Sequence, residues 1–253
     1  MMPEGMIQDS ASPPSFDALR RRADASGLAV RGAFHPAARE FDRLLPAVSV
    51  GTIVLLGFTG SVQWEAYNRS AEASDGLPNP LDRWSRRVIG SLASELRAVD
   101  IYPNGSPPQL PFQRLAVRCE PVHPSPLGLL IHPEWGLWHA YRGALVLPDR
   151  IELPAVAPSV HPCAGCAAKP CLPACPVQAF RDGSFHIELC VNHVSSAAGS
   201  DCREHGCRAR RACPVGAEFR YIEDHARFHM HAFLRAAGGG GEPSTRLSES
   251  SAK

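Results

Sequence analysis

The chain has 253 residues, 44% hydrophobic and 20% charged, enough to close a core in one large domain or in a medium and a small one. Lys and Arg number 26 against 25 Asp and Glu, a net charge of +1; that balance, with no basic stripe, argues against a nucleic-acid partner. The longest apolar run, residues 52–58, is too short to cross a bilayer, and residues 1–14 carry no secretory pattern, so the chain reads as cytoplasmic with no membrane partner.

In chain order, residues 1–27 read as a polar leader followed by a short helix that Ser15 caps and Gly27 stops. Residues 28–34 alternate like a strand, and residues 51–58 form a continuous apolar run suited to a buried one. Asn79-Pro80 opens the clearest helix, a cap residue followed by proline, and Leu81, Trp84, Val88, Leu92 and Leu96 recur at helical spacing. A Pro-rich turn at 103–111 precedes a second helix at 112–118. Residues 127–147 read as two strands around a turn at 133–136. The aperiodic, Pro-rich stretch 148–162 marks a boundary between two modules. Residues 221–237 read as a helix ended by a glycine run, and the Ser-rich remainder, 238–253, as a disordered tail.

Eight of the nine cysteines fall between Cys163 and Cys213, and in a reducing compartment such clustering points to metal binding or redox chemistry. The first half reads Cys163-x2-Cys166-x4-Cys171-x3-Cys175-Pro176 and the second Cys190-x11-Cys202-x4-Cys207-x5-Cys213-Pro214. The endings match, Ala174-Cys175-Pro176-Val177 against Ala212-Cys213-Pro214-Val215, so this is an internal repeat stretched by insertions. Two iron–sulfur cubanes suit the pattern, because each iron takes one external thiolate and each cluster needs four cysteines converging from different directions. Zinc favours paired Cys-x2-Cys spacing, which only Cys163 and Cys166 supply, and disulfides are disfavoured by the compartment. Cys119 reads as an ordinary buried thiol.

The cysteine region resembles the bacterial two-cluster ferredoxins, in which the Cys-Pro cysteine of each half ligates the other cluster. That resemblance implies one [4Fe–4S] cluster on Cys163, Cys166, Cys171 and Cys213, and a second on Cys175, Cys190, Cys202 and Cys207.

Residues 28–150 contain no phosphate loop, dinucleotide fingerprint or paired-carboxylate motif; Gly57-Phe58-Thr59-Gly60 lacks the nucleotide-binding glycine spacing. The segment Ile131-His132-Pro133-Glu134-Trp135-Gly136-Leu137-Trp138-His139-Ala140-Tyr141-Arg142-Gly143, followed by Ala144-Leu145-Val146-Leu147-Pro148, resembles the cobalamin-processing family of methylmalonic aciduria and homocystinuria type C, with Leu137 in place of that family's second glycine. Weaker similarity runs upstream through Phe34-His35-Pro36 and Asn79-Pro80-Leu81-Asp82. The combination with a two-cluster module is also similar to epoxyqueuosine reductases and reductive dehalogenases. Leu189-Cys190-Val191 is a feature shared with the queuosine enzymes, whose Val-Asp-x-Gly-Pro stretch has no counterpart here.

These resemblances imply an α+β protein: a nitroreductase-like antiparallel sheet with helices over residues 28–155, then a small ferredoxin-like two-cluster domain over residues 156–237. They imply cobalamin beside the clusters, reduced or dealkylated by electrons relayed from a soluble low-potential donor. The readings left beside this are a ferredoxin-like carrier without corrin and a cobalamin-dependent reductase of an organic substrate. His132, Gly136, Trp138, Arg142 and Gly143 are the implied corrin-binding residues, and no catalytic residue is assigned. For His132 the alternative is a turn histidine, for Trp138 a core residue, and for Arg142 a pair with an acidic neighbour. His225 and His229, four apart on a helix, suit either a shared metal or a solvated polar face.

Overall fold

The computed structural model describes residues 13–46, 48–104 and 110–238. Most of the N-terminal leader, the middle of the Pro-rich turn at 103–111, and the glycine run and tail past residue 238 lie outside the described residues. The chain begins with α1 (Phe16–Ala25), β1 (Ala29–Phe34), β2 (Thr52–Thr59), α2 (Trp64–Asn68), α3 (Ala71–Ser74), α4 (Pro80–Leu96), β3 (Val99–Ile101) and α5 (Phe112–Ala116). The short strands β4 (His123–Pro124) and β5 (Leu130–Ile131) precede the long β6 (His139–Leu147). The cysteine region then contributes β7 (Phe180–Arg181), β8 (Ser184–Phe185), α6 (Ile187–Ser195), α7 (Ser200–His205), α8 (Arg208–Arg211) and α9 (Glu223–Gly238).

The architecture is α+β with antiparallel pairing throughout. Two compact units divide it. The first comprises Met1–Val122 and His139–Ser159, and the second His123–Trp138 and Val160–Lys253. The segment 123–138, which the sequence reading kept inside one continuous front domain, therefore belongs with the cysteine region.

In the first unit the sheet order is β1-β2-β6-β3. β2 is central and its Ile53, Val54, Leu55, Leu56 and Phe58 are wholly buried, as a continuous apolar run requires when both faces are covered. Its pairing with β6 shifts register between Leu56 and Gly57, where a Cβ on Gly57 would come within 1.9 Å of the Ala140 carbonyl oxygen. α4 buries Leu81, Trp84, Val88, Ile89, Leu92 and Leu96, the helical stripe legible in the sequence. Its start departs from expectation: Asn79 is left-handed (φ 51°) and makes no side-chain cap bond. Arg83 ties the entry instead, its guanidinium donating to the Pro78 carbonyl (3.0 Å) and to Asp75 (2.7 and 2.6 Å). Ser15 does cap α1, accepting the Ala18 N–H at 3.2 Å.

The expected hairpin over 127–147 is absent. β5 pairs with β4 in the second unit, whereas β6 pairs with β2 and β3 in the first. The intervening turn exists, closed by His132 and Gly136 exchanging both backbone hydrogen bonds (2.8 and 3.0 Å). Its flanks do not pair because Ile131 and Leu137 are buried among the cysteine loops.

Candidate metal centre

Cys163, Cys166 and Cys171 sit on a turn-rich loop, and Cys175 closes it just before Pro176. Cys190 lies on α6, Cys202 on α7, Cys207 at the start of α8, and Cys213 just beyond its end. None of the nine cysteines is in a disulfide.

The thiols fall into two groups of four. Burial pushes the Cys163 thiol up, and negative charge on Cys213, Cys171 or Cys166 pushes it further. Burial likewise raises Cys171, with Cys213 and Cys166 as its thiol neighbours, and Cys213, with Cys166 as its own. In the second group burial pushes Cys190 up to about 12, with Cys207, Cys175 and Cys202 adding to the shift. Cys207 is raised by burial and feels Cys202 and Cys175. Each group thus holds three cysteines of one half of the repeat and the Cys-Pro cysteine of the other.

Cys163, Cys166, Cys171 and Cys213 line one space of ≈ 310 Å³, counting its open mouth. Its remaining walls include Pro126 and Ile131 from the inserted segment, with Pro162, Lys169, Pro170, Pro214 and Val215. Backbone amides point at the sulfurs: Ala179 N–H donates to Cys175 Sγ at 3.3 Å, and Cys171, Cys207 and Cys213 receive backbone donors from Leu172, from Ala209 and Arg210, and from Val215. Such donors stabilise thiolate ligands. Among the described residues no three His, Cys, Asp or Glu side chains close in enough to hold a single metal ion. A cubane spreads its thiolates over four separate irons, a wider ligand set than a mononuclear site needs. The residues fit such a group: four soft donors per set, apolar walls and amide donors to sulfur.

The inserted segment is built tightly against the Cys213 loop. Gly136 is left-handed (φ 56°), and a Cβ there would come within 1.9 Å of the Val215 carbonyl oxygen. Gly216 (φ 66°) meets it from the other side, where a Cβ would lie 2.4 Å from the Trp135 carbonyl carbon. Leu137, which replaces a glycine of the resembled family, is buried in the same core as Cys171, Cys175 and Cys213. Arg210 fastens the arrangement: its Nε and Nη2 donate to the Leu137 carbonyl (3.1 and 2.5 Å), and its guanidinium lies over the Trp138 ring (4.5 Å) and the Tyr221 ring (4.4 Å). Sequence reasoning missed Arg210 and Gly216; the arginine-rich run between Cys207 and Cys213 was the available signal.

The residues expected to hold a corrin do not gather in one unit. His132, Gly136 and Trp138 belong to the second, Arg142 and Gly143 to the first. His132 is a turn histidine: buried, stacked on Trp135, with Nδ1 accepting the backbone N–H groups of Glu134 (3.1 Å) and Trp135 (3.3 Å). Trp138 is buried; Arg210 lies over its ring and Tyr221 meets it edge-on, while its indole N–H has no acceptor among the described residues. Arg142 donates to Ser85 Oγ (3.0 Å) and pairs with Asp82, both on α4. A Cβ at Gly143 would come within 2.6 Å of Ile89 Cδ1, so this glycine lets α4 close on β6. All five of these residues make packing or hydrogen-bond contacts within their own units.

Cys119 is buried in the first unit and donates its S–H towards the Leu115 and Ala116 carbonyls. His225 is no part of a solvated face: it is fully buried, stacked on Tyr221, and shares one hydrogen bond with His229 (Nε2 to Nε2, 3.1 Å). Among the described residues no helix is long and apolar enough to cross a membrane.

No protein-family model matches the chain, and no curated protein matches it. Among solved structures it is similar to epoxyqueuosine reductase from Streptococcus thermophilus, at 14% identity and a TM-score of 0.46, covering 81% of this chain and 66% of that one. It is also similar to an epoxyqueuosine reductase solved with a tRNA-Tyr epoxyqueuosine-modified stem loop (15%, TM-score 0.45, 83% and 69%) and to the epoxyqueuosine reductase from Bacillus subtilis (18%, TM-score 0.41, 82% and 60%). The chain thus spans between 60% and 69% of these structures' own length. The neighbours stand on the queuosine side of the resemblances drawn from the sequence, and the type C resemblance finds no support among them. They also overturn one exclusion. A neighbour carries a tRNA stem loop, so the balanced net charge does not rule out nucleic acid. A chain-wide total is blind to local runs such as Arg208–Arg211.

Proposed function

We propose that this chain is an iron–sulfur redox protein whose second unit holds two [4Fe–4S] clusters and passes electrons one at a time. One would be held by Cys163, Cys166, Cys171 and Cys213, the other by Cys175, Cys190, Cys202 and Cys207. The observation that carries the reading is the crossed grouping, in which Cys175 and Cys213, the two cysteines before proline, each fall with three thiols of the opposite half. A bound cubane supplies one-electron chemistry at low potential. The chain's own part is to hold the sulfurs at fixed positions, to exclude water with Ile131, Leu137, Ala179 and Ala209, and to donate backbone N–H groups to ligand sulfurs. Pro176 and Pro214 turn the chain away after each crossing cysteine.

Corrin chemistry is not part of this proposal. Anaerobic reconstitution tests the reading: about eight irons and about eight sulfides per chain are expected, with EPR of the dithionite-reduced protein giving two interacting signals. Cys213→Ser should remove one cluster and leave the other on Cys175, Cys190, Cys202 and Cys207. Stoichiometric zinc without sulfide would sink the proposal. Added hydroxocobalamin should pass through a desalting column unretained; retention would restore the corrin reading.

A further inference from the structure

Of the 26 Lys and Arg residues only two are lysine, Lys169 and Lys253. Lys169 lies between Cys166 and Cys171 and lines the same space as Cys163, Cys166, Cys171 and Cys213. Apart from those four thiols, the other lining residues are prolines, Ile131 and Val215, so Lys169 is the one charged residue on that wall among the described residues. Its backbone is left-handed (φ 39°), a conformation that side chains rarely adopt, and less so before a proline such as Pro170, where extended backbone is preferred. A glycine would take this turn without strain, yet a long cation stands there. Among the described residues Lys169 makes no ion pair and no side-chain hydrogen bond, so no contact within the fold accounts for it. Burial raises the Cys163 thiol, and the Lys169 charge opposes that rise. In the other group, the charges that act on Cys190 and Cys207 are thiols of the same group.

We infer that Lys169 is the counter-charge of the site formed by Cys163, Cys166, Cys171 and Cys213, a positioning residue that raises the reduction potential of a cluster held there and not of its neighbour. The inference rests on the two-cluster reading. Four thiolates around an iron–sulfur cube form an anion, and reduction adds one more negative charge to it. A positive charge on the wall of such a site favours the reduced state. Lys169 is exposed, so solvent and salt screen the effect and keep it moderate.

EPR-monitored titration of the loaded protein with dithionite and mediators provides the test. Lys169→Gln should lower one midpoint by about threefold in the reduced-to-oxidised ratio, about 28 mV for one electron, and leave the other in place. Lys169→Glu should roughly double that shift, and Lys169→Arg, which keeps the charge, should remove most of it. The shift should shrink in about 1 M salt, as a purely structural effect would not. In Cys213→Ser protein, where the second cluster alone is expected, adding Lys169→Gln should move nothing. Wild-type midpoints in a loaded Lys169→Gln protein, an equal shift in Lys169→Arg, or a shift of the cluster left in Cys213→Ser would overturn the inference. Should Lys169→Gln fail to load, Lys169→Gly decides, since glycine suits the left-handed backbone and its lack of charge must lower the same midpoint. A wild-type protein without iron and sulfide would instead refute the two-cluster reading itself.

Discussion

Glu72 is buried on α3 and accepts two hydrogen bonds from the Arg87 guanidinium on α4, at 2.6 and 3.0 Å. That partner holds its carboxyl down to about 2, below the ordinary carboxylate range. With the folded value depressed, the unfolded chain binds more protons between pH 2 and about 4.5, so the pair's stabilisation is complete above that window and is lost as pH falls through it. Urea unfolding across pH 2–5 should show a shallower acid loss in Glu72→Gln than in the parent. Gly136 and Gly216 hold a second residue-scale device, two left-handed glycines whose backbones nest where no Cβ fits. Gly136→Ala adds about 1 kcal/mol of backbone strain and roughly 1–3 kcal/mol of overpacking. A lower midpoint of thermal unfolding and iron loss centred on the Cys213 group are expected, by calorimetry and metal analysis.

At the scale of elements, β1 is tied to the segment after α5 by a buried ion pair, Arg31 to Glu120 at 2.6 Å, with side chains 0% and 2% exposed. Burial pushes the Glu120 carboxyl up to about 7 even with Arg31 beside it, which shows how much the pair depends on its partner staying in place. Arg31→Met removes the charge that favours the ionised form, so the buried Glu120 carboxyl should take up a proton and lose its hydrogen-bond donor, at a cost of about 1–3 kcal/mol in denaturant unfolding. Nothing in the sequence paired residues 31 and 120, because charge patterns report neighbours along a helix or strand and not across a fold. α4 was legible because its stripe repeats every turn and Pro80 fixes its start. Its cap was not, because the left-handed backbone at Asn79 follows from Arg83 reaching back to Asp75 and Pro78.

For the molecule as a whole, the two units should respond differently to loss of metal. The core of the second unit includes Cys171, Cys175 and Cys213 themselves, with Cys163, Cys190 and Cys207 packed against it, so the proposed ligands and the core are the same residues. On the two-cluster proposal, removing iron leaves buried thiols around a vacant space, and α6–α8 then rest on their packing against α9 and on the Arg211–Asp201 and Arg227–Glu204 ion pairs. The first unit has its own core on β2, β6 and α4. Hydrogen exchange after chelation should show protection lost in residues 123–138 and 160–220 and kept in 52–59 and 139–147. Equal loss in both units would contradict the prediction.

The sequence by itself determined the cysteine repeat, the buried strand at 52–58 and the amphipathic helix from Pro80, because each is written in local spacing or periodicity. It read the stretch 131–143 as one continuous motif, which the strand pairing divides. Tertiary structure alone decided that this stretch is divided, with His132, Gly136 and Trp138 walling a cysteine loop and Arg142 and Gly143 locking α4 and β3 onto β6. The physical reason is the same at every one of these positions. A glycine, a buried ring or a guanidinium takes its role from whatever the rest of the chain brings against it, and a linear pattern carries no record of that partner.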